Sequence, residues 1–393
     1  MMLNMRKKIL AITGIRSEYD ILFPVIDTLR RNGNFELKVV VSGAHLSDWH
    51  GQTVKQVKQD GFKIADKIDY LRMTNSKTQR VSGVGILTQA LAKTVEREQP
   101  DFLLVVGDRE ESMAAALVGN YMDVLMAHIG GGDTVYGNAD DPVRFAVSKL
   151  AHIHFVLSEQ SKKVLLNIGE EKFRIFVSGD PALDRIKNVP VLSPASISEY
   201  LQWGLQDKKY IVLINHPLSS TKEKAYDQMV CVLQAVNDFA IEHQIKIVGI
   251  YPNTDPGALD ILNAVEEFRD APLIRFYKTL PREIFVNVMR HALCLAGNSS
   301  MGILEAPFYK MPVVNVGDRQ RGRFQAGNVV FAGYQKRSIL KALKRACFDR
   351  RYRRRIGRLP NPFGDGRAAE KIREVLRKIN PQESQWHIKK NRN

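Results

Sequence analysis

Carboxylates and arginines stand beside glycine turns at three places in the first half of the chain. GIRSEYD (residues 14–20) follows an apolar run and offers backbone N–H groups at a helix start, with Arg16 able to fork onto a phosphate or a sugar oxyanion. The pattern is not GxGxxG, so the dinucleotide fingerprint is absent. VVGDREES (105–112) sets Asp108 and Arg109 just past a second apolar run. An acid at a buried strand end is costly unless it is hydrogen-bonded or used, and the neighbouring guanidinium can pair with it or hold a substrate. AHIGGGDT (127–134) and GNADDPVRFAVSK (137–149) add Asp133, Asp140 and Asp141 near three glycines that permit close approach of a ligand. Asp108, Asp133 and Asp141, with Arg109, form the candidate acid–base set, and a divalent cation would suit the same carboxylates. Helix capping competes for Asp108 and for Asp141, which precedes Pro142.

The second half carries groups suited to an anion. NHPLSS (215–220) puts His216 at a strand end, where it can donate to phosphate or titrate near neutrality. AGNSSMGILEA (296–306) supplies a turn at Gly297, the hydroxyls of Ser299 and Ser300 at a helix start, and Glu305 about one turn inside, placed to take two ribose hydroxyls. VGDRQRGR (316–323) adds Arg319, Arg321 and Arg323, fork donors that match a diphosphate. A capped helix with no ligand is the alternative for the serine turn.

Positioning these groups falls to apolar, β-branched runs that end in Gly, Asp or Ser: KKILAITG, ELKVVVSG, FLLVVGD, VLMAHIG, HFVLSE and RIFVSGD. Amphipathic helical patterns lie between them, which predicts a parallel sheet covered on both faces over residues 1–185. The Pro-rich stretch 186–208 reads as linker plus a short helix. YIVLINHP, QIKIVGIYPN, PLIRFYKT, ALCLAGNSS, MPVVNVG and NVVFAG then predict a second α/β domain over 209–380, followed by a frayed polar tail over 381–393. Ligands of open α/β sheets bind outside the carboxyl ends of the strands, and the two halves are expected to face a shared cleft.

Composition narrows the class. At 393 residues, 44% hydrophobic and 25% charged, with no long apolar run, the chain fits a soluble two-domain globule rather than a rod, a collagen or an integral membrane protein. The start, MMLNMRKKILAITG, lacks a small-residue cleavage pattern and reads as a first buried strand. Cys231, Cys294 and Cys347 are too scattered for a disulfide framework or a metal cluster, so structural roles and a cytoplasmic setting are expected. Residues 336–358 hold eleven of the basic side chains against the one acid Asp349, and dominate the net charge of +16. No zinc-finger, RNP or KH pattern accompanies them, so a solvated, anion-steering helical face is expected ahead of a lipid, partner or nucleic-acid surface.

Taken in order, TGIRSEYD, GDRE, HIGGGDT, DDPVRFAVSKLAHIHF, NHPLSS, YPNTD, GNSSMGILEA, NVGDRQRGR and NPFGDG resemble the UDP-N-acetylglucosamine 2-epimerase family. The likeness is greater to its hydrolysing branch, which serves sialic and legionaminic acid synthesis, than to its reversible branch. It implies two Rossmann-like domains in a GT-B arrangement, an interdomain active-site cleft and a nucleotide-sugar substrate. By the same resemblance Arg16, His216, Asn253, Ser299, Ser300, Glu305 and Arg319 contact nucleotide or phosphate, while Asp108, Arg109, Asp133 and Asp141 face the sugar. The implied reaction eliminates the nucleoside diphosphate to a glycal and then adds water with inversion at C2, without cofactor or metal; a homo-oligomer, dimer or tetramer, is also implied. One departure is Gly130, where members of the branch carry an acidic residue; a glycine there leaves room for a larger sugar substituent such as a 4-acetamido group. A GT-B glycosyltransferase is the alternative enzyme, and an anionic-polymer-binding protein the alternative of another class.

Overall fold

The computed structural model describes residues 6–48, 51–72, 76–134, 140–252 and 257–390. Two compact units emerge: Met1–Lys187 with Phe363–Asn393, and Asn188–Pro362. In the first, β1 (Lys7–Thr13), β2 (Phe35–Ser42), β3 (Ile64–Ile68), β4 (Phe102–Val106), β5 (Leu125–Ile129), β6 (Ile153–Val156) and β7 (Ile175–Val177) form one sheet in the order 3-2-1-4-5-6-7. In the second, β8 (Tyr210–Ile214), β9 (Lys246–Ile250), β10 (Ile274–Tyr277), β11 (Cys294–Gly297), β12 (Val313–Val316) and β13 (Val329–Ala332) run in the order 10-9-8-11-12-13. Every pairing is parallel. The chain is thus α/β with two Rossmann-like sheets. Strands such as FLLVV, LMAHI and YIVLI are buried at every position, which is why they read as continuous apolar runs.

The strand order reverses direction between β1 and β4 in one sheet and between β8 and β11 in the other. Connections leaving neighbouring strands diverge there and open a crevice at the carboxyl edge. The turns after β1, β4 and β5, and those after β8, β11 and β12, are the segments singled out by residue type.

The ends of the units differ from expectation. Ile197, Leu201, Trp203 and Leu205, in the stretch expected as linker, are buried in the core of the second unit. The helix Pro194–Leu201, started by the Ser193 side chain, fixes them there. The segment from Phe363 onward, expected with the second unit, returns to the first. Asp184 accepts from the N–H groups of Ala368 and Ala369 at 2.9 and 3.0 Å and so caps the helix Ala368–Lys378. Lys7 Nζ donates to the carbonyls of Leu376 and Ile379 at the other end. Nor is the tail frayed through Lys390: the fully buried Arg174 donates to the carbonyls of Gln385, Trp386 and Ile388, and Lys389 pairs with Glu170 at 2.7 Å. Among the described residues, no helix is long and apolar enough to cross a membrane.

Candidate active site

The first unit gathers its charges around β1, β4 and β5. Arg16 opens the helix Arg16–Arg30 and is exposed, whereas Glu18 two residues on is buried and accepts from the Gly14 N–H at 3.1 Å. Beside it lies Glu111, at the start of the helix Glu110–Tyr121 and only 2% exposed. A Cβ on Gly14 would stand 1.7 Å from Glu111 Oε1, so the carboxylate occupies the space that the glycine leaves open. Tyr70 Oη donates to the same oxygen at 2.6 Å, and Ser42 Oγ reaches it at 3.3 Å.

Two acids crowded into one dry site cannot both ionise cheaply. Burial, then the Glu111 charge, pushes the Glu18 carboxyl well above its ordinary value. Burial also raises Glu111, against the opposing pull of Arg109 and the Tyr70 hydroxyl. Arg109 Nε lies 3.8 Å from Glu111 Oε2. Burial works against the Arg109 charge, but Glu111 and Glu18 outweigh it and hold the guanidinium ionised. The two buried glutamates thus face the half-buried Arg109 cation at the β4 end.

Asp108 sits next to that cation and is bound by Arg144 Nη2 from the helix Asp140–Leu150. Nη1 of the same guanidinium donates to the Gly130 carbonyl at 3.2 Å and lies 3.6 Å from the Asp133 carboxylate. Arg144 thus draws two of the expected carboxylates, one from β4 and one from β5, onto a single cation. Below them His128 is fully buried, which depresses its pKa to about 3 and keeps it neutral. Its Nε2 donates to the Gly107 carbonyl at 2.7 Å and props the turn that carries Asp108. Asp141 lies inside the first turn of its helix rather than before it, and its side chain is outside the described residues.

In the second unit the organising residue is Asn298, fully buried between two turns. Its Oδ1 accepts from the His216 N–H at 2.7 Å and its Nδ2 donates to the His216 carbonyl at 2.8 Å, so the turn after β8 is tied to the turn after β11. Arg319 Nη1 and Gln320 Nε2 both donate to the Asn298 carbonyl at 3.2 Å. Gly297 adopts φ +115°, and a Cβ there would lie 2.0 Å from the Ile214 carbonyl oxygen. Only glycine fits that approach. Ser299 Oγ accepts from the Met301 N–H, and Ser300 begins a helix of four residues, Met301–Leu304.

The structure brings His216, Ser299, Ser300 and Arg319 onto these linked turns. Arg323 is buried and donates to Gln320 Oε1 at 3.1 Å. Arg321, by contrast, is exposed and pairs with Asp318 at 2.7 Å. Glu305 follows the short helix instead of lying inside it, because Pro307 disfavours helical backbone at Ala306. Asn253 lies outside the described residues. Sequence reasoning missed Arg144, Glu111 and the buried state of Glu18. A basic residue four positions after Asp140 on an acidic helix start was the available signal for Arg144. Among the described residues, no group of three or more His, Cys, Asp or Glu side chains is arranged to hold a metal ion.

A profile of the family described as UDP-N-acetylglucosamine 2-epimerase matches residues 27–377. The chain belongs to that family. It is an enzyme of the 2-epimerase type, and it is 32% identical over 376 residues to the UDP-N,N'-diacetylbacillosamine 2-epimerase (hydrolyzing) of Legionella pneumophila, covering 95% of this chain and 97% of the relative. It is 29% identical to the GDP/UDP-N,N'-diacetylbacillosamine 2-epimerase (hydrolyzing) of Campylobacter jejuni over 83% of this chain and 84% of that one. In fold it matches the UDP-GlcNAc 2-epimerase of Neisseria meningitidis bound to UDP-GlcNAc with a TM-score of 0.80 at 20% identity, over 95% of this chain and 100% of that structure. In this family member the clustered acids and arginines belong to the first unit and the serine and arginine turns to the second.

Proposed function

We propose that the chain is a hydrolysing 2-epimerase that converts a nucleoside-diphosphate-linked N-acetylated amino sugar and water into the free C2-inverted sugar and the nucleoside diphosphate. UDP-linked 2,4-diacetamido-trideoxyhexose is the favoured substrate, with UDP-N-acetylglucosamine and the GDP-linked sugar as the competitors. The observation that carries the reading is the Arg144 clamp, which sets the Asp108 and Asp133 carboxylates at adjacent strand ends of a chain 32% identical to a relative named hydrolyzing.

In this mechanism Asp108 takes the proton from C2 as the C1–O bond to the diphosphate breaks. The C–H electron pair becomes the C1=C2 double bond of the glycal, and the bonding pair to oxygen leaves with the diphosphate. Water then adds its hydroxyl to C1, and a proton reaches C2 from the opposite face. Arg109, held charged by Glu111 and Glu18, stabilises negative charge developing at the sugar. Ser299, Ser300 and Arg319 receive the diphosphate, Glu305 the ribose, and Arg16, His216 and Asn253 further nucleotide or phosphate oxygens. Such a cycle fits a place early in sialic or legionaminic acid synthesis.

Gly130 supports the diacetamido sugar. Its φ is +86°, and a Cβ placed on it would meet nothing closer than Gly107 N at 4.0 Å, so space lies open where the side chain would project. Incubation of the purified chain with each nucleotide sugar, without any acceptor, tests the proposal by chromatography of the products. Release of nucleoside diphosphate with a C2-inverted free sugar, fastest from the diacetamido substrate, is expected. No release without an acceptor would turn the reading to a glycosyltransferase.

A further inference from the structure

The excess positive charge of the chain is not evenly solvated. On the helix Lys336–Phe348, Lys336 and Lys344 pair with Asp238 and Glu242 at 2.5 and 2.9 Å. On the helix Ala368–Lys378, Arg373 and Arg377 share Glu374. The helix Arg350–Arg358, with sequence RRYRRRIGR, is different: among the described residues, none of its arginines forms an ion pair. Asp349, the one acid beside them, spends its carboxylate accepting from the Tyr352 N–H at 2.9 Å as the helix cap.

Two of these arginines are structural. Arg353 donates to the carbonyls of Leu293 and Ala346, and Arg355 to that of Gly327. Arg351, Arg354 and Arg358 recur at helical spacing along one exposed face, where like charges at such spacing repel one another. With Arg345, Arg355, Leu359 and the capping Asp349 they line an open concavity of about 500 Å³ that also includes the buried Tyr352. The guanidiniums of Arg345 and Arg355 stand 4.9 and 5.4 Å from that ring, which holds the cavity wall in shape. A solvated face has no need of a concave wall lined by arginines.

We propose that this cavity is a second anion-binding site, separate in sequence and in its residues from the Ser299–Arg319 turns, and that it takes a small ligand bearing more than one phosphate group. Guanidinium forks pair with phosphate oxygens two at a time, so several of them in one concavity suit clustered phosphates better than a single carboxylate. A single concavity of this size suits a small molecule better than a polymer, which would need a continuous stripe.

Titration calorimetry with inorganic pyrophosphate on the full chain separates this site from the nucleotide site. The unmodified chain should bind at two classes of site. The triple variant R351Q, R354Q and R358Q should lose one class by at least tenfold while keeping UDP affinity, and R319M should weaken the other class alone. The three arginines are exposed and, among the described residues, form no ion pair, so the fold should persist, which circular dichroism checks; R354Q alone supplies a milder variant with a smaller loss in the same direction. A single class of site unchanged by the triple variant would overturn the proposal. Tighter binding of duplex DNA or of phosphatidylserine vesicles than of pyrophosphate, abolished by the same three substitutions, would also overturn it in favour of a polymer or membrane surface.

Discussion

The two units solve opposite electrostatic problems. The first holds like charges together out of water: Glu18 and Glu111 crowd one site, and each of Arg109 and Arg144 serves more than one acid. The second sets arginines rather than crowded acids on its turns, with Arg319 donating to the Asn298 carbonyl, and relies on the buried Asn298 amide, the Gly297 backbone and two hydroxyls to shape a place for someone else's charge. Chemistry on carbon needs groups whose protonation is held away from its ordinary value, whereas capture of a diphosphate needs oriented donors. Apart from Arg16, proposed to reach the nucleotide from the first unit, substitutions should therefore separate, with turnover falling in one unit and affinity in the other.

The largest effect is expected at Asp108. Asp108→Asn should lower kcat by about 100-fold or more while UDP affinity by calorimetry stays unchanged. Arg144→Met, which frees both carboxylates, should share that signature; a loss of UDP binding in either variant would erase the division between units. Next in size, Arg319→Met or the double Ser299→Ala, Ser300→Ala change should cost about 1–3 kcal/mol in UDP binding per charged hydrogen bond lost, with kcat at saturating substrate largely kept. Gly297→Ala tests the backbone half of the same turn. It should destabilise the protein by about 1–3 kcal/mol, read as a lower Tm, because it strains a positive-φ residue and drives Cβ at the Ile214 carbonyl.

The smallest effect concerns the buried acid pair and pH. Burial raises the folded-state pKa of both glutamates above the ordinary glutamate range, so just above that range the folded protein holds a proton that the unfolded chain has released. Their contribution is thus fully present below the unfolded value and is lost as pH rises through the folded values, with a slope of at most about 1.4 kcal/mol per pH unit for one proton. Urea midpoints across this range should fall with pH more steeply in the unmodified chain than in Glu111→Gln. Equal slopes would mean that the pair holds no proton.

Both sheets were legible in the sequence because parallel strands buried on two faces leave continuous apolar runs, and the strand ends located the turns at Asp108, Gly130, His216 and Gly297. What escaped were groups defined only by long-range meetings. Glu111 looks like a helix-start acid until Tyr70, Ser42 and Gly14 close around it. The carboxyl-terminal segment looks like a solvated tail because Arg174 and Lys7 grip its backbone carbonyls, which have no signature in residue type. Gly130 reads as a pocket enlargement, yet its φ of +86° is a backbone demand in its own right. Asn, which tolerates that region better than Glu, is therefore the cleaner replacement for testing sugar preference.

The proposed reaction requires inversion of C2 through a glycal. Turnover in deuterated water, with the released sugar analysed by NMR, tests it most directly. One solvent deuterium is expected at C2 of the inverted product, formed at a rate that collapses in Asp108→Asn. A C2-inverted product that keeps its original hydrogen at C2 would contradict it.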